Sequence, residues 1–499
     1  MFVLLLACAA PPEDTAVTPH AYPDADAFTL AGPGGPAASF DAAALDAAAL
    51  DTPCAALTGG PEDREHHNLV GMYDGWLVLP WAPEDGGGGV SIFEFSDPCA
   101  PVKVGEAYSA LMRESHTLAI AEVGERTIRA VDAPHDGDRG GIGFWDLTDP
   151  TAPVWLSDLE LPGYHYPDAY FRVALSTFWQ GDILWVSAGF LGVFAVDVSD
   201  PAAPVILSQW TETAFMAGSF HVIGNLALAS SASLSRTMLW DVGDPDNWQL
   251  LSAWDVADEE GDPLGYYFAN VGGHYAFFAR KTEGGGPVVY DIADPTDPVR
   301  VGAGASPDGD GGYVSRHHDV LFQGESNFGA RYDFTDPTNP VEVARIDMAG
   351  DFDTLVPIGN VAVASVDEGG DPGLATQVFP WAAEPDARGP TVELTSPMDG
   401  TAWVPVTGRI GLSFDESIEP KSVHAGSLRV WRADGAEVPG RFYGQEAIAN
   451  FVPDAPFDAD TTYVVEVPAG GITDSSGNPT ESALRFTFAT GETVEAVAW

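Results

Sequence analysis

Histidines that recur in similar short stretches are the residues of this sequence whose type and spacing could do chemistry. His67, His116 and His318 stand in "REHHNLVG", "RESHTLAI" and "SRHHDVLF", each just before a run of apolar residues. Imidazole nitrogens are common ligands of zinc, copper, iron and nickel, and carboxylates often complete such sites. If these side chains converge at one end of a repeated structure, they form a transition-metal site.

Two carboxylates and one more histidine extend this candidate site. The stretch "HYPDAYFRVAL" carries His165 and Asp168, and Asp319 directly follows His318. The alternative is a structural role, because repeated segments copy residues, and a histidine beside a strand can simply hydrogen-bond a neighbouring carbonyl. The predicted metal ligands are His67, His116, His165, Asp168, His318 and Asp319.

Aspartates in glycine-rich loops are a second group of candidate ligands. The loop "PHDGDRGG" contains Asp136 and Asp138, and "SPDGDGG" contains Asp308 and Asp310. Calcium prefers hard oxygen ligands of this kind, but neither loop completes an EF-hand, and solvated turns are the alternative. No cofactor therefore follows with certainty from the sequence. A transition metal and calcium are the two candidates.

A motif repeated six times builds the elements that must position these residues. Examples are "WDLTDPTAPV", "VDVSDPAAPV" and "YDIADPTDPV", each a strand followed by an Asp-Pro turn and a second strand. Successive copies are 42 to 52 residues apart, a spacing typical of β-propeller blades. The aspartates of the six Asp-Pro pairs are Asp97, Asp149, Asp200, Asp244, Asp294 and Asp336.

These motifs resemble the LVIVD repeats of bacterial surface proteins, and the resemblance implies a β-propeller. One more strand pair follows the sixth copy without the motif, so we expect seven blades with the last one degenerate. Further along, "IGLSFDESIEPKSV", "GITDSSGNP" and "LRFTFATG" resemble bacterial Ig-like domains. The fold class is therefore predicted as all-β, a seven-bladed β-propeller followed by an Ig-like β-sandwich.

The three cysteines suggest a lipid anchor and a disulfide bond. Cys8 ends "MFVLLLAC", which resembles a bacterial lipobox and implies lipidation, although no basic residue precedes it and a chance match is the alternative. Cys54 and Cys99 then remain as a pair that could form a disulfide in an oxidising compartment. The predicted division is a signal over 1–8, a flexible tether over 9–60, the propeller over 61–387, the Ig-like domain over 388–491 and a tail over 492–499.

Charge narrows the range of partners. The chain has 74 acidic and 21 basic side chains and a net charge of −53, so it repels nucleic acid and anionic lipid. A lipid anchor is then the expected contact with a membrane. Ala9 after Cys8 resembles the sorting signal of proteobacterial lipoproteins that go to the outer membrane, so the outer membrane is favoured over the inner one, with secretion as the alternative. We expect a monomer that binds a protein or glycan through the propeller, with aromatic residues such as Phe171, Trp179 and Tyr267 on the binding face. The alternative for these aromatic residues is buried packing between blades.

Two other functions stay open at this stage. One is a metal-dependent enzyme that uses the histidines at the mouth of the propeller channel, and the other is a purely structural envelope protein. The sequence favours a non-catalytic protein, because it contains neither a Gly-x-Ser-x-Gly elbow nor a phosphate-binding Gly-Lys-Ser loop.

Overall fold

The computed structural model describes residues 40–41, 43–60, 69–82, 87–112, 116, 119–136, 139–165, 171–244, 247–282 and 284–491, without the side chains of residues 132 and 134–136. These residues form 36 β-strands in nine four-stranded sheets and two short 3₁₀ turns, Ala47–Ala49 and Pro420–Ser422. Within them, no helix is long and apolar enough to span a membrane.

The first six blades are each made of four consecutive antiparallel strands, the first innermost and the fourth outermost. After the short strand β1 (Ala55–Ala56), blade 1 contains β2 (Gly71–Tyr73), β3 (Trp76–Trp81), β4 (Gly88–Glu94) and β5 (Val102–Ser109), and blade 2 contains β6 (Ile120–Val123), β7 (Arg126–Asp136), β8 (Arg139–Asp146) and β9 (Val154–Glu160). Blade 3 contains β10 (Ser176–Gln180), β11 (Ile183–Ser187), β12 (Val193–Asp197) and β13 (Val205–Trp210), and blade 4 contains β14 (Ala217–Ile223), β15 (Leu226–Ser231), β16 (Arg236–Asp241) and β17 (Gln249–Asp255). Blade 5 contains β18 (Tyr266–Gly272), β19 (Tyr275–Arg280), β20 (Pro287–Asp291) and β21 (Val299–Ala303), and blade 6 contains β22 (Val314–His317), β23 (Val320–Gly324), β24 (Gly329–Asp333) and β25 (Val341–Ile346).

The seventh blade combines both ends of the propeller. Strands β26 (Thr354–Ile358), β27 (Val361–Ser365) and β28 (Thr376–Pro380) are its inner strands, and β1 pairs antiparallel with β28 as the outermost strand. Cys54, just before β1, forms a disulfide with Cys99 in the β4–β5 turn of blade 1. Part of the segment predicted as a flexible tether over 9–60 therefore belongs to the propeller, because β1 satisfies the edge of the last sheet.

Apolar packing runs around the complete ring. Separate buried clusters join blades 1 and 2, blades 2 and 3, blades 3 to 5, blades 5 and 6, and blades 6 and 7. A further cluster joins Leu77 and Phe93 of blade 1 to Val361 and Val378 of blade 7. The all-β fold with seven four-stranded blades confirms the predicted fold class.

The repeated motif builds the turn between the third and fourth strands. In blade 2, Asp146 Oδ1 accepts a hydrogen bond from the backbone nitrogen of Thr148, and Asp149 Oδ1 accepts one from that of Thr151, both at 3.0 Å. In blade 3, Asp197 and Asp200 bind the nitrogens two residues ahead in the same way. These aspartates are occupied in shaping turns, so the motif itself is structural.

The C-terminal domain is a sandwich of two sheets around one apolar core. One sheet pairs strands in the order β29, β31, β34, β33, and the other in the order β30, β36, β35, β32. The strands are β29 (Val392–Ser396), β30 (Thr401–Val404), β31 (Ile410–Phe414), β32 (Arg429–Arg432), β33 (Gly440–Gln445), β34 (Ile448–Pro453), β35 (Thr462–Val467) and β36 (Leu484–Thr490).

The sandwich docks on one end of the propeller, which we call the turn face. This face is formed by the turns that join the first and second strands of the blades, at residues 74–75, 124–125, 181–182, 224–225, 273–274, 318–319 and 359–360. In blade 4, Asn450 accepts a hydrogen bond from Gly224 N at 2.7 Å and donates one to Val222 O at 2.9 Å. In blade 5, Gly273 N donates to Phe414 O. The opposite end, formed by the connections leading into the first strands, is the open face.

Candidate functional site

The predicted histidines lie at opposite ends of the propeller. His116 precedes β6, the first strand of blade 2, and so belongs to the open face. His318 follows β22, the first strand of blade 6, and lies on the turn face. The expectation that both stand before a first strand was wrong for His318, because the apolar run after it is the second strand, β23. The two side chains therefore cannot share a metal ion.

His318 occupies a turn position where most blades have glycine. Its φ is 51°, in the left-handed region, and Gly124, Gly181, Gly224, Gly273 and Gly359 have φ between 56° and 68° at the corresponding positions. A side chain with a β-carbon is disfavoured there by about 1–2 kcal/mol. Non-glycine residues in such a conformation concentrate at functional sites.

His318 lies in a buried cluster with His317, Asp386 and Glu416, which we call the histidine–carboxylate cluster. His318 Nε2 is 3.2 Å from Glu416 Oε1, and His317 Nδ1 is 3.1 Å from Glu416 Oε2. His317 Nε2 is 3.5 Å from Asp386 Oδ2. One potential ligand atom from each residue can be chosen so that all four lie within 4.8 Å of one another.

Three separate parts of the chain contribute these four side chains. The histidine pair lies at the end of β22, the first strand of blade 6, Asp386 lies in the segment between β28 and β29, and Glu416 follows β31 of the sandwich. A backbone bridge between His317 and Glu416 brings the propeller and the sandwich together at this point. The cluster is therefore part of the interface between the two domains.

Neighbouring groups orient His318. Its Nδ1 is 3.0 Å from Asp415 Oδ2, and its backbone nitrogen donates to Asp415 O at 2.9 Å. Asp415 also accepts hydrogen bonds from Arg388 Nη2 and Thr391 N. With Nδ1–H directed at Asp415, the lone pair on Nε2 points toward Glu416.

Burial dominates the electrostatics of the cluster. It raises the pKa of Glu416 to about 9, an effect that Asp386 and Asp415 reinforce and His318 opposes. Burial likewise raises the pKa of the adjacent Asp474 to about 9 and lowers the pKa of His317. The site thus concentrates carboxylates where water does not solvate them.

The other predicted ligand on the turn face points away from the cluster. Asp319 Oδ2 accepts a hydrogen bond from Arg388 Nη1 at 3.1 Å, and its side chain is 57% exposed. His317, Asp386 and Glu416 were not predicted as ligands. Their only signals in the sequence are the doubled histidine of "SRHHDVLF" and the acids of "FDESIEP".

The open face carries a different set of side chains around His116. His116 Nδ1 is 3.0 Å from Tyr313 Oη, and Tyr313 stacks on Phe268 with ring centroids 4.4 Å apart. Tyr267 lies beside them, with Lys281 Nζ 4.3 Å from the centre of its ring. Of the predicted face aromatics, Tyr267 is partly exposed, whereas Trp179 is buried between blades.

Acidic side chains adjoin these aromatics. Burial, reinforced by Asp351, raises the pKa of Asp353 to about 7, while Lys281 and His116 lower it. Asp310, one of the predicted calcium ligands, also has a raised pKa caused first by burial. Asp308 does not join this group, since its side chain is 83% exposed and faces Arg345 at 3.8 Å.

The sandwich closes the channel at the turn face. The β33–β34 hairpin places Gln445 and Glu446 against the first strands: Gln445 Nε2 donates to Thr177 O at 3.0 Å, and Glu446 Oε2 lies 3.2 Å from His221 Nε2. Both residues line a cavity that also contacts His116 and Tyr313. The hairpin tip and the open-face residues His116 and Tyr313 therefore border the same cavity.

The remaining predicted site residues have separate locations. His165 lies in the β9–β10 connection, where its backbone nitrogen donates to Arg172 O. For Asp136, only the backbone is described, and it lies in β7. Cys8, His67, Asp138 and Asp168 lie outside the described residues.

Comparisons with known proteins agree with the C-terminal assignment. Residues 386–490 match the family model of a bacterial Ig-like domain. No curated protein matches the chain.

The solved structures that match this chain are only distantly similar to it. BamB from Moraxella catarrhalis is 11% identical, with a TM-score of 0.42, over 66% of this chain and 97% of that one. A protein from Lactobacillus plantarum is 11% identical, with a TM-score of 0.47, over 58% of this chain and 95% of that one. At these values, neither similarity bears on function.

Proposed function

We propose that this protein is a binding scaffold of the bacterial cell envelope whose propeller binds a protein or glycan at its open face. The observation that supports this most is the docking of the Ig-like domain on the turn face, with its hairpin tip against the first strands. Because one end of the channel is covered in this way, the open face is the end left for a ligand.

The open face combines aromatic rings with hydrogen-bonding groups. The partly exposed rings of Tyr267 and Tyr313 lie 6.2 Å apart, and the buried ring of Phe268 stacks against Tyr313 at an angle of 8°. Phe171 and Phe190 form an exposed pair with centroids 5.4 Å apart, in connections on the same face. Aromatic faces contact the apolar side of a sugar or peptide, and nearby carboxylates accept hydrogen bonds from hydroxyl or amino groups.

The finer assignments belong to the same proposal. The repeats are of the LVIVD type, and Cys8 carries a lipid that anchors a monomer at the outer membrane. The net charge of −53 favours neutral or cationic ligands over nucleic acid and anionic lipid. Acid-stable lipid on the N-terminal peptide, detected by mass spectrometry of protein from membranes, would test the anchor.

The ligand is best sought with the full chain and a defined panel. Glycans and cationic peptides would be screened by biolayer interferometry, and hits repeated with Tyr267→Ala and with a Phe171→Ala/Phe190→Ala double variant. We expect at least a tenfold loss of affinity, about 1.4 kcal/mol, in both.

Trp403→Ala is the matched control, because Trp403 is an aromatic residue of the Ig-like domain with 53% exposure. Its affinity should equal that of the unaltered protein. An equal loss of affinity in Trp403→Ala, or unchanged affinity in both open-face variants, would show that the ligand binds elsewhere and would refute the proposal.

A further inference from the structure

We propose that His317, His318, Asp386 and Glu416 bind one divalent transition-metal ion, foremost zinc, which holds the Ig-like domain on the propeller. This inference is independent of ligand binding at the open face. It differs from the metal site predicted from the sequence, since three of the four ligands are new and the site lies between domains.

Two separations in the cluster match those between neighbouring ligands of a tetrahedral ion, and all four ligand atoms lie within 4.8 Å of one another. With metal–ligand bonds of about 2.0–2.1 Å, neighbouring ligand atoms lie about 3.3 Å apart. His318 Nε2 and Glu416 Oε1 are 3.2 Å apart, and His317 Nε2 and Asp386 Oδ2 are 3.5 Å apart. Small adjustments of the side chains would therefore complete the coordination.

Three of these atoms make no hydrogen bond although they are buried: His318 Nε2, Asp386 Oδ2 and Glu416 Oε1. The side chain of Glu416 is 1% exposed and that of His318 is 9% exposed. Leaving a buried polar atom unpaired costs about 1–3 kcal/mol, so three that face one another indicate a missing partner. A cation satisfies all three at once.

The tautomer and the charge both suit a dication. Because Asp415 accepts from Nδ1 of His318, Nε2 is free to act as a ligand, and a carboxylate behind the imidazole is the usual support of a metal-bound histidine. Two neutral imidazoles and two carboxylates carry a charge of −2, which the ion neutralises. Mixed nitrogen and oxygen ligands favour zinc and its neighbours over calcium.

Four side chains leave no open coordination position, so the site is structural and not catalytic. The ligands come from blade 6, from the segment between the domains and from the sandwich, so the bound ion links all three. This role also accounts for His318 in the left-handed turn, where five other blades have glycine and blade 1 has Asp74.

The first experiment measures metal content in the full chain, expressed without a polyhistidine tag. After addition of Zn²⁺ and dialysis, elemental analysis should find about one equivalent per chain, as for a structural site. His318→Ala and Glu416→Gln should hold less than a tenth of that amount. His274→Ala is the matched control, a histidine of the same interface that faces Glu393 at 3.5 Å, and it should retain the ion.

A second experiment avoids dependence on folding of the variants. Co²⁺ bound to the unaltered protein should give the intense visible absorption of a tetrahedral site, and Zn²⁺ should displace it. Asp415→Asn, which preserves shape, should weaken zinc binding about 10- to 100-fold by misorienting His318. Zinc content below about a tenth of an equivalent, binding of Ca²⁺ alone, or equal zinc content in His318→Ala would each overturn the proposal.

Discussion

Gly224 of the propeller and Gly411 of the sandwich touch through their backbones: a β-carbon built on Gly411 would lie 2.0 Å from Gly224 N. A β-carbon on Gly224 would lie 2.3 Å from Ser396 O. Domains that meet backbone to backbone have little freedom to shift without separating. Docking of the Ig-like domain on the turn face should therefore be sensitive to a single methyl group.

Gly224→Ala should weaken this docking. The substitution introduces both left-handed strain and a clash with the sandwich, and we expect a loss of about 2–4 kcal/mol in the free energy of unfolding. Gly124→Ala is the control, because Gly124 has a φ of 64° at the corresponding turn and nothing within 4 Å of its β-carbon position. Calorimetry would compare them, and equal losses would contradict a clash at the interface.

Asn450→Ala should also separate the domains. It leaves Gly224 N and Val222 O without this side-chain partner inside a buried interface, and Gln180 Nε2 with Gly224 O alone, at a cost of about 2–4 kcal/mol. Lys421→Ala removes a more exposed ion pair with Glu122 at the same interface and should cost about 1 kcal/mol or less. Hydrogen exchange at the 224–225 turn would report the difference, and similar exchange in both variants would refute it.

Cys99→Ser should loosen the closure of the ring. The disulfide with Cys54 spans 45 residues, and its loss should lower the free energy of unfolding by up to about 4 kcal/mol. Thermal unfolding with and without a reductant would measure this. Two reactive thiols in the denatured, unreduced protein would contradict the linkage.

Glu325 should make the propeller less stable as the pH rises. Burial raises its pKa to about 8, while Tyr332 Oη donates to its Oε1 at 2.6 Å. The folded state therefore holds a proton that the unfolded state releases near its ordinary pKa of about 4.3, and stability falls between these two values.

Glu325→Gln should remove that dependence, because an amide does not ionise. Denaturant unfolding at pH 5 and pH 8 would show a decrease of a few kcal/mol in the unaltered protein, on the order of 1.4 kcal/mol per pKa unit, and a smaller one in the variant. Parallel pH profiles would contradict the assignment.

Six of the seven blades could be predicted because they repeat the same Asp-Pro turn between their third and fourth strands. Asp146 and Asp149 stabilise a turn through hydrogen bonds to nitrogens only two residues ahead, so the spacing of the motif in the sequence gives the spacing of the blades. The Ig-like domain could likewise be predicted from "GITDSSGNP" and the segments around it, which lie in the region that matches the bacterial Ig-like family model.

Three of the four proposed metal ligands, His317, Asp386 and Glu416, could not be predicted because no local pattern connects them. Asp386 and Glu416 meet the histidine pair through domain docking, which the repeats do not encode. His318 was misplaced for a specific reason: histidine replaces the glycine that marks the first turn in five other blades, so the strand after it resembled a first strand. Ala55–Ala56 is too short to show strand alternation, and its place in blade 7 depends on pairing with β28.

Strand β1, which completes blade 7, also determines the order in which the propeller ring can close. β1 is synthesised first, yet its partner β28 emerges more than 300 residues later. Cys99 follows Cys54 by 45 residues, so in an oxidising environment the disulfide can attach β1 to blade 1 before blade 7 is complete. The nascent chain would thereby keep its first strand in place as a template for its last blade.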